Sequence, residues 1–353
     1  MKFTFITPDS HCWLETIHKL PHDSYHLPEY VALNASYEKG DAYAYVMEEG
    51  SNIFFFPFII RPISLAFHAM GDSVLYDAIS PYGYSSPLLL TEDTTGRFYQ
   101  KAMSTFLAEM KRRNVVAVFS RLHPLLTNHE MLNGYGTLVN HGSTVSIDLT
   151  LSEGELWQQM RRNHRAGIKR TGEKGYSAFV DYEGKYWEQF IAIYYETMER
   201  NKADQYYYFS ARYFEKLRQA MRECMYLGVV LDQGEVASAG LFTESNGIVQ
   251  YHLSATADKY LKGGSSKLLL YFITLYEKKR GSRILHIGGG IGGNEDSLFR
   301  FKAGFSQTRH AFYTWHIIVN EGIYSQLVSE WEQYNGKKAD DICDYFPVYR
   351  KDV

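Results

Sequence analysis

Between Met225 and Ile287 the sequence admits few layouts. Met225 to Asp232 and Val236 to Thr243 are short apolar, β-branched runs joined by Gln233-Gly234-Glu235, and they predict a hairpin. Ile248 to Ser254 predicts a third strand. A turn carrying Gly263 and Gly264 then leads into Ser265 to Arg280, where Leu268, Leu269, Phe272 and Leu275 recur at helical spacing. Arg283 to Ile287 predicts a strand again. A hairpin, a third strand, a helix and a returning strand imply a sheet with helices packed on it, an α/β (α+β) layer.

The first part of the chain follows a looser version of that order. Ala42 to Met47 and Asn52 to Ile60 predict a strand pair across Glu48-Glu49-Gly50-Ser51. Thr95 to Asn114 predicts a helix, with Phe98, Met103, Phe106, Leu107 and Met110 as its apolar stripe, and Val115 to Phe119 a buried strand. Thr144 to Leu149 alternates as a strand does. A length of 353 residues exceeds one ordinary core. Two domains are therefore expected, 1–150 and 151–321. Ser152 with Glu155 has capping-box spacing. It opens a predicted amphipathic helix running through Gly175, with Arg161, Arg165 and Lys169 at i, i+4 and i+8. Tyr186 to Arg200 and Ala211 to Arg222 predict further helices, and His310 to Val319 a last strand.

Composition narrows the function classes. The net charge of −3 excludes a general nucleic-acid coat, so no DNA partner is expected. A local basic run remains, Arg161, Arg162, Arg165, Lys169, Arg170 and Lys174. It is either a solvated face or a contact for a polyanion such as a nucleotide sugar, coenzyme A or a tRNA end. The 29 tyrosines either line a polar groove or fill packing interfaces. Cys12, Cys224 and Cys343 lie far apart and support neither a disulfide framework nor a zinc site. His22 and His26 flank a Pro-bounded turn and make no metal site. The opening MKFTFITPDSHCWLET lacks the apolar run of a signal peptide, and Pro57 breaks the longest apolar stretch, Ile53 to Ile60. A cytoplasmic protein with no transmembrane segment is expected.

Two glycine motifs invite a phosphate reading. Gly288 to Gly293 spells G-x-G-x-x-G after a strand, but the dinucleotide fold also needs a full helix, a second parallel strand and an acid about 20 residues on. The segment EDSLFRFKAGF leaves room for a short helix only, so the expectation is a turn that lets backbones approach closely. The other motif is Tyr260-LKGGSSKLLLYF. Its helix start offers backbone N–H groups and the positive end of the helix dipole, with Lys262 and Lys267 alongside. The bland alternative is a Gly-Ser helix cap.

The stretch from Leu156 to about Gly304 resembles the Fem-type peptidyltransferases and the related GNAT-superfamily N-acyltransferases of cell-envelope gene clusters. The resemblance rests on LWQQMRRNHRAGIKR, YYETMERN with YYYFSARYFEKL, YHLSATADKYLKGGSSKLLLY, and IGGGIGGNEDSLFRFKAGF. FPFIIRPI, SPYGYSSPL and FSRLHPL extend it more weakly into the first half. It implies two tandem GNAT-like acyltransferase domains, with a C-terminal segment, 322–353, packing back on the first. It implies transfer of an acyl or aminoacyl group from acyl-CoA or aminoacyl-tRNA, as co-substrate rather than bound cofactor. The acceptor would be an amine of a nucleotide sugar or muropeptide, in peptidoglycan or polysaccharide biosynthesis. The long coiled-coil arm of some Fem members has no counterpart between Lys174 and Tyr226. Where Fem-type enzymes carry an acid after the first-domain turn, Leu88-Leu89-Leu90 stands. The GNAT phosphate-loop pattern Q/R-x-x-G-x-G/A is met in part, in registers starting at Tyr260 or Leu261.

Amine attack on an ester or thioester needs donors for a tetrahedral oxyanion. Lys302, in FRFKAGF, matches the family's lysine near the reacting ends. Arg200 matches the arginine of its E-R-x segment and is implied to hold a diphosphate. Arg61 and Arg121 each follow an apolar strand, and Tyr82 and Tyr84 sit in a turn suited to a cleft, so these are candidate acceptor contacts. Lys262, Gly263, Gly264, Ser265, Lys267 and Arg165 are candidate donor contacts. The base is either His252 or the substrate itself. A non-catalytic module that holds a nucleotide sugar or anionic glycan is the other functional class.

Overall fold

A computed structural model describes residues 2–68, 74–127, 129–341 and 345–351, so Cys343 lies outside the described residues. The chain packs as two compact units, Met1–His141 with Phe312–Val353, and Gly142–Ala311. The first half runs β1 (Lys2–Ile6), α1 (His11–Ile17), α2 (Pro28–Glu38), β2 (Asp41–Glu49), β3 (Asn52–Pro62), β4 (Tyr76–Ile79), β5 (Leu88–Leu90), α3 (Arg97–Arg112) and β6 (Val115–Arg121). Next come β7 (Thr137–Asp148), α4 (Glu153–Gln159), α5 (Arg162–Glu173), β8 (Ser177–Asp181), α6 (Trp187–Arg200), α7 (Ala211–Ala220), β9 (Met225–Asp232), β10 (Glu235–Ser245) and β11 (Ile248–Thr256). The chain finishes with α8 (Ser265–Arg280), β12 (Ile284–Gly288), α9 (Ser297–Lys302), β13 (Arg309–Ile318) and α10 (Glu321–Asn335).

The two units repeat one topology. In the first, β1, β2, β3 and β4 pair antiparallel in that order. Then β6 joins β4 in parallel, and β13 closes against β6 antiparallel. In the second, β8, β9, β10 and β11 pair antiparallel, β12 joins β11 in parallel, and β7 closes against β12 antiparallel. Each parallel pair is linked by a helix, α3 or α8, as a parallel connection requires. The closing strands are exchanged along the sequence: β7 follows the first unit but pairs with β12, and β13 follows the second but pairs with β6. The sequence reading divided the chain at 150/151 and 321/322. Packing places the changes at Gly142 and Phe312 because these two long strands each begin in one unit and end in the other.

Strand β3 shows why Ile53 to Ile60 reads as one apolar run. Phe54, Phe56 and Phe58 pack with Met103 and Phe106 of α3, while Phe55 and Ile59 pack with Trp13 of α1 and Val31 of α2. A strand buried on both faces loses the alternation of a half-exposed one. Pro57 falls between the stretch of β3 that pairs with β5 and the stretch that pairs with β4, so its missing N–H breaks no ladder on that side. In the second unit Leu269, Leu270 and Ile273 of α8 pack on Ile147, Val249 and Leu285, with Leu156 and Ile168 beside them. Leu327 and Trp331 of α10 pack on Ile63, Val116 and Tyr349 of the first unit.

The predicted helix through Gly175 is two helices. Met160 is extended, Arg161 caps α5, and the Arg161 amide donates to the carbonyl of Gly304 at 2.8 Å. Arg165 folds back and donates to the Gln158 carbonyl at 2.9 Å, satisfying the end of α4. The break precedes the basic run: Arg161 caps α5, and Arg165 and Lys169 follow within it at i+4 and i+8, the Arg165 amide donating to the Arg161 carbonyl at 3.2 Å. The expected capping box at Ser152 and Glu155 is present.

A buried ion cluster fastens the C-terminal residues to the first unit. Asp77, 1% exposed, accepts from Arg61 Nε at 2.9 Å and Arg350 Nε at 2.6 Å, and Arg61 also reaches Glu38 at 2.6 Å. Removing Asp77 leaves two guanidinium groups facing each other without their shared acid. Asp77→Ala is expected to cost about 3 kcal/mol or more, read as a lower urea midpoint at unchanged slope. A midpoint equal to wild type would mean that the cluster adds nothing to stability.

Candidate active site

The second unit's sheet opens where its parallel pair ends. Strands β11 and β12 pair only from Ile248 to Gln250 against Ile284 to His286. The last matched pair is tied by a side-chain bond, His286 Nδ1 to Gln250 Oε1 at 2.7 Å. Beyond it the strands part, and the main chain of Tyr251 to Ser254 has no β12 partner on that side. A bulge adds to the effect. The register of β11 against β10 skips from Tyr251 to Leu253, so His252 is the extra, buried residue. Loops at the C-terminal ends of a parallel pair are where open α/β sheets place ligands. Both glycine motifs lie there.

The loop from β11 to α8 is tied down at several points. Arg200, at the end of α6, donates to the Thr256 carbonyl at 3.3 Å, to Thr197 Oγ1 at 3.1 Å and to the Asp258 carboxylate. Glu196 accepts from the Asp258 amide at 3.2 Å. Thr171 Oγ1 of α5 donates to the Gly263 carbonyl at 2.7 Å. Ser265 is buried, with its hydroxyl 2.5 Å from that of Ser238. Gly264 enters α8 at φ +87°, where a Cβ would meet Thr171 Oγ1 at 3.0 Å. Among the described residues, no side chain caps α8. Lys262 is exposed beside this start. Lys267 is half-buried against Gly167 of α5, and burial, then Arg170, push its amine below the usual lysine range.

The corresponding helix of the first unit is closed. Its α3 also begins after a left-handed glycine, Gly96. There the Asp93 carboxylate accepts from the amides of Thr95 at 2.8 Å and Phe98 at 2.7 Å. A carboxylate already occupies the place a phosphate would take.

Lys302 ends α9. Its Nζ donates to the Gly289 carbonyl at 2.7 Å, just past β12. Burial pushes its amine down to about 8, and Asp296 pulls it partly back up. Asp296 also accepts from the amides of Ile291 at 3.0 Å and Phe299 at 2.7 Å, so one carboxylate closes the glycine turn and caps α9. The glycines have packing reasons. A Cβ on Gly290 would lie 1.9 Å from the Asn294 carbonyl oxygen, and one on Gly289 would lie 2.9 Å from that of Ser143. A helix of only six residues follows, and β13 then pairs antiparallel with β6; the turn has no dinucleotide fold around it. In FKAGF, Gly304 lies under the His164 ring, and His164 Nε2 donates to the Phe301 carbonyl at 2.8 Å.

The structure thus gathers His252, Lys302 and the Lys262–Lys267 loop at one end of the β11/β12 pair. Three proposed contacts are committed elsewhere: Arg61 to the Asp77 cluster, Arg165 to the end of α4, and Arg200 to the loop itself. In the first unit, Tyr84 and Arg121 lie at the equivalent end of β4 and β6. The Tyr84 ring meets Tyr25 and Phe312 edge-on, and Tyr82 accepts at its carbonyl from the Tyr30 hydroxyl at 3.0 Å. Arg121 stacks 5.1 Å over Phe119, and its Nη1 is buried without a hydrogen-bond partner. Sequence reasoning missed Asp296, Thr171 and Asp258; only the Asp-Ser-Leu helix start at Asp296 carried a legible signal, that of a helix cap.

The FemX crystal structure superimposes with a TM-score of 0.67 over 92% of this chain and 99% of that one, at 13% identity. The chain has the fold of FemX. The structure of L-PGS from Bacillus licheniformis matches with a TM-score of 0.53 over 91% of this chain and 95% of that one, at 12% identity. The C-terminal domain of a putative lysylphosphatidylglycerol synthetase from Agrobacterium fabrum matches with a TM-score of 0.52 over 90% and 96%, at 13% identity. No protein-family model matches the chain, and no match is found among curated protein sequences.

The depressed Lys302 amine has a thermodynamic consequence. Its folded pKa of about 8 lies below the ordinary value of 10.5, so between those pH values the unfolded chain holds a proton that the folded one has released. Stability must then rise with pH across that window. Wild type is expected to gain stability relative to Lys302→Met as pH climbs from about 8 to about 10.5, in urea titrations at stepped pH. Parallel curves for the two proteins would place the amine in water.

Proposed function

We propose that the chain is an N-acyltransferase whose second unit takes a phosphate-bearing acyl donor. The acyl or aminoacyl group would pass to an amine of a cell-envelope precursor, such as a nucleotide-linked amino sugar or a muropeptide. The observation that carries this reading is the contrast between two equivalent helix starts: α8 is uncapped and flanked by Lys262 and Lys267, whereas α3 is filled by Asp93. The α8 start suits the diphosphate of a coenzyme A thioester. An aminoacyl-tRNA ester is the other donor that the same carbonyl chemistry accommodates.

The transfer needs little from side chains. The neutral amine attacks the thioester carbonyl, the oxyanion collapses, and the thiolate leaves and takes a proton. The proton lost by the amine passes to His252 or to a group of the substrate. Amides freed where β11 leaves β12, with the Lys302 ammonium, are suited to hold the oxyanion in a place where strand pairing no longer uses them. Arg200 acts here by holding the donor loop.

A thermal-shift screen of coenzyme A thioesters, aminoacyl-tRNA and nucleotide sugars finds the donor and acceptor, because a ligand that binds the native state raises its melting temperature. A coenzyme A thioester is expected to stabilise the protein. With substrates in hand, Lys302→Ala is expected to lower kcat by about a hundredfold at near-native KM, and Lys302→Arg to recover part of the loss. Arg200→Ala is expected to raise KM for the donor with a smaller change in kcat. Unchanged turnover in Lys302→Ala would remove that residue from the chemistry; no stabilisation by any thioester or tRNA ester would sink the transferase reading.

A further inference from the structure

A surface of the second unit gathers four arginines that form no ion pair among the described residues. Arg161 Nη1 donates to the Arg300 carbonyl at 3.2 Å, and Arg300 Nη1 to the Glu295 carbonyl at 3.1 Å. Arg309 Nη1 donates to the carbonyls of Ser306 at 2.9 Å and Thr308 at 3.0 Å, with its guanidinium 5.5 Å over the Phe299 ring. Arg162 stands beside Arg161 in the first turn of α5. All four are exposed. Backbone carbonyls hold three of them in place, and among the described residues none of the four is ion-paired. By contrast, Arg61, Arg112, Arg200, Arg222, Arg280 and Arg350 each meet a carboxylate. Two acids border the patch. Asp296 is engaged by two amides; Glu295 is exposed and offsets only part of the charge, acting on Arg309 against burial and the neighbouring Arg161.

Two large apolar side chains stand out of the same surface. Ile291 is 59% exposed and Leu298 38%. Asp296 accepts from the Ile291 amide, which holds Ile291 against the start of α9, where Leu298 is the second residue. Nothing in the fold requires a bare isoleucine at the tip of a glycine turn. Exposed apolar residues rimmed by cations that the protein leaves unpaired fit a bilayer interface, where side chains enter the headgroup–acyl boundary and arginines meet lipid phosphates. A nucleic acid would use the arginines and leave Ile291 and Leu298 without a partner. No helix among the described residues is long and apolar enough to cross a membrane, so such contact would be peripheral.

We propose that the patch formed by Arg161, Arg162, Arg300 and Arg309 around Ile291 and Leu298 docks this protein on anionic lipid surfaces. The inference stands independently of the transfer reading, because its test reads binding alone. The full chain is sedimented with phosphatidylcholine vesicles, with and without phosphatidylglycerol, at physiological salt. It is expected to bind the anionic vesicles and not the neutral ones. Each basic residue near a membrane contributes about fivefold to partitioning, so Arg161→Glu with Arg309→Glu is expected to lower binding more than tenfold. Ile291→Ser with Leu298→Ser, two exposed changes that spare the charges, is expected to weaken it several-fold, with circular dichroism unchanged for both variants. Equal binding to both vesicle types, or anionic binding that neither variant weakens, would overturn the proposal. So would tight binding of duplex RNA that the arginine variant loses while the Ile291 and Leu298 variant keeps both RNA and vesicle binding.

Discussion

The parting of two parallel strands organises the second unit. Strands β11 and β12 share three matched residues each, and the Gln250–His286 bond marks where they separate. A parallel pair that stayed together would use its main-chain groups in the ladder and leave nothing for a reacting carbonyl. Because this pair separates, and His252 adds a bulge opposite β10, polar backbone is left at the sheet's centre. The loop that follows β11 and the turn that follows β12 must then diverge. Each is fixed separately, the first by Arg200, Glu196 and Thr171, the second by Asp296 and Lys302. Lys302 draws its lowered pKa from that arrangement: its amine sits in a half-buried turn whose one nearby acid is already engaged by two amides.

The repeat explains why one unit can specialise. Both units have a parallel pair, a helix after it and a glycine at the helix start. They differ at the helix start. Asp93 precedes α3 and accepts from the amides of Thr95 and Phe98 at its start, whereas Gly263 and Gly264 precede α8. An anion at a helix start is favourable whether it belongs to the protein or to a ligand, so an internal carboxylate excludes an external phosphate from the same amides. The first unit keeps Tyr84 and the unpartnered Nη1 of Arg121 at the equivalent end of its sheet.

Much of this was legible in the sequence. The strand pairs around Gly50 and Gly234, the helix from Ser265 to Arg280 and the Ser152 capping box follow from local pattern alone, and their boundaries agree with the structure to within a few residues. The glycine turn before Asn294 was also correctly set apart from a dinucleotide fold, because that fold demands elements the chain has no room for. The exchange of β7 and β13 was not legible. Alternation shows that Thr144 to Leu149 is a strand but says nothing about which neighbour it pairs with. The break at Met160 was hidden for a similar reason: Leu156, Trp157, Met160 and Ile168 fit one helical stripe, and the interruption comes from Gly304, far along the chain, accepting from the Arg161 amide.

Arginines were the hardest to read, and the reason is electrostatic. A guanidinium carries the same charge in every context, so its role depends on whether an acid lies within reach in space. Arg61 and Arg121 both follow apolar strands and look equivalent. Yet Arg61 meets Asp77 and Glu38, sixteen and twenty-three positions away in sequence. Arg121 lies over Phe119 with no carboxylate partner. Arg200 and Arg309 diverge in the same way, one locked to Asp258 and the other held by carbonyls and the Phe299 ring with no ion pair among the described residues. Carbonyl-held arginines are oriented without being neutralised, so their full charge faces outward. Where the fold fixes such a group without an ion pair, as at Arg161, Arg300 and Arg309, the charge stays available to a counter-charge from outside the chain.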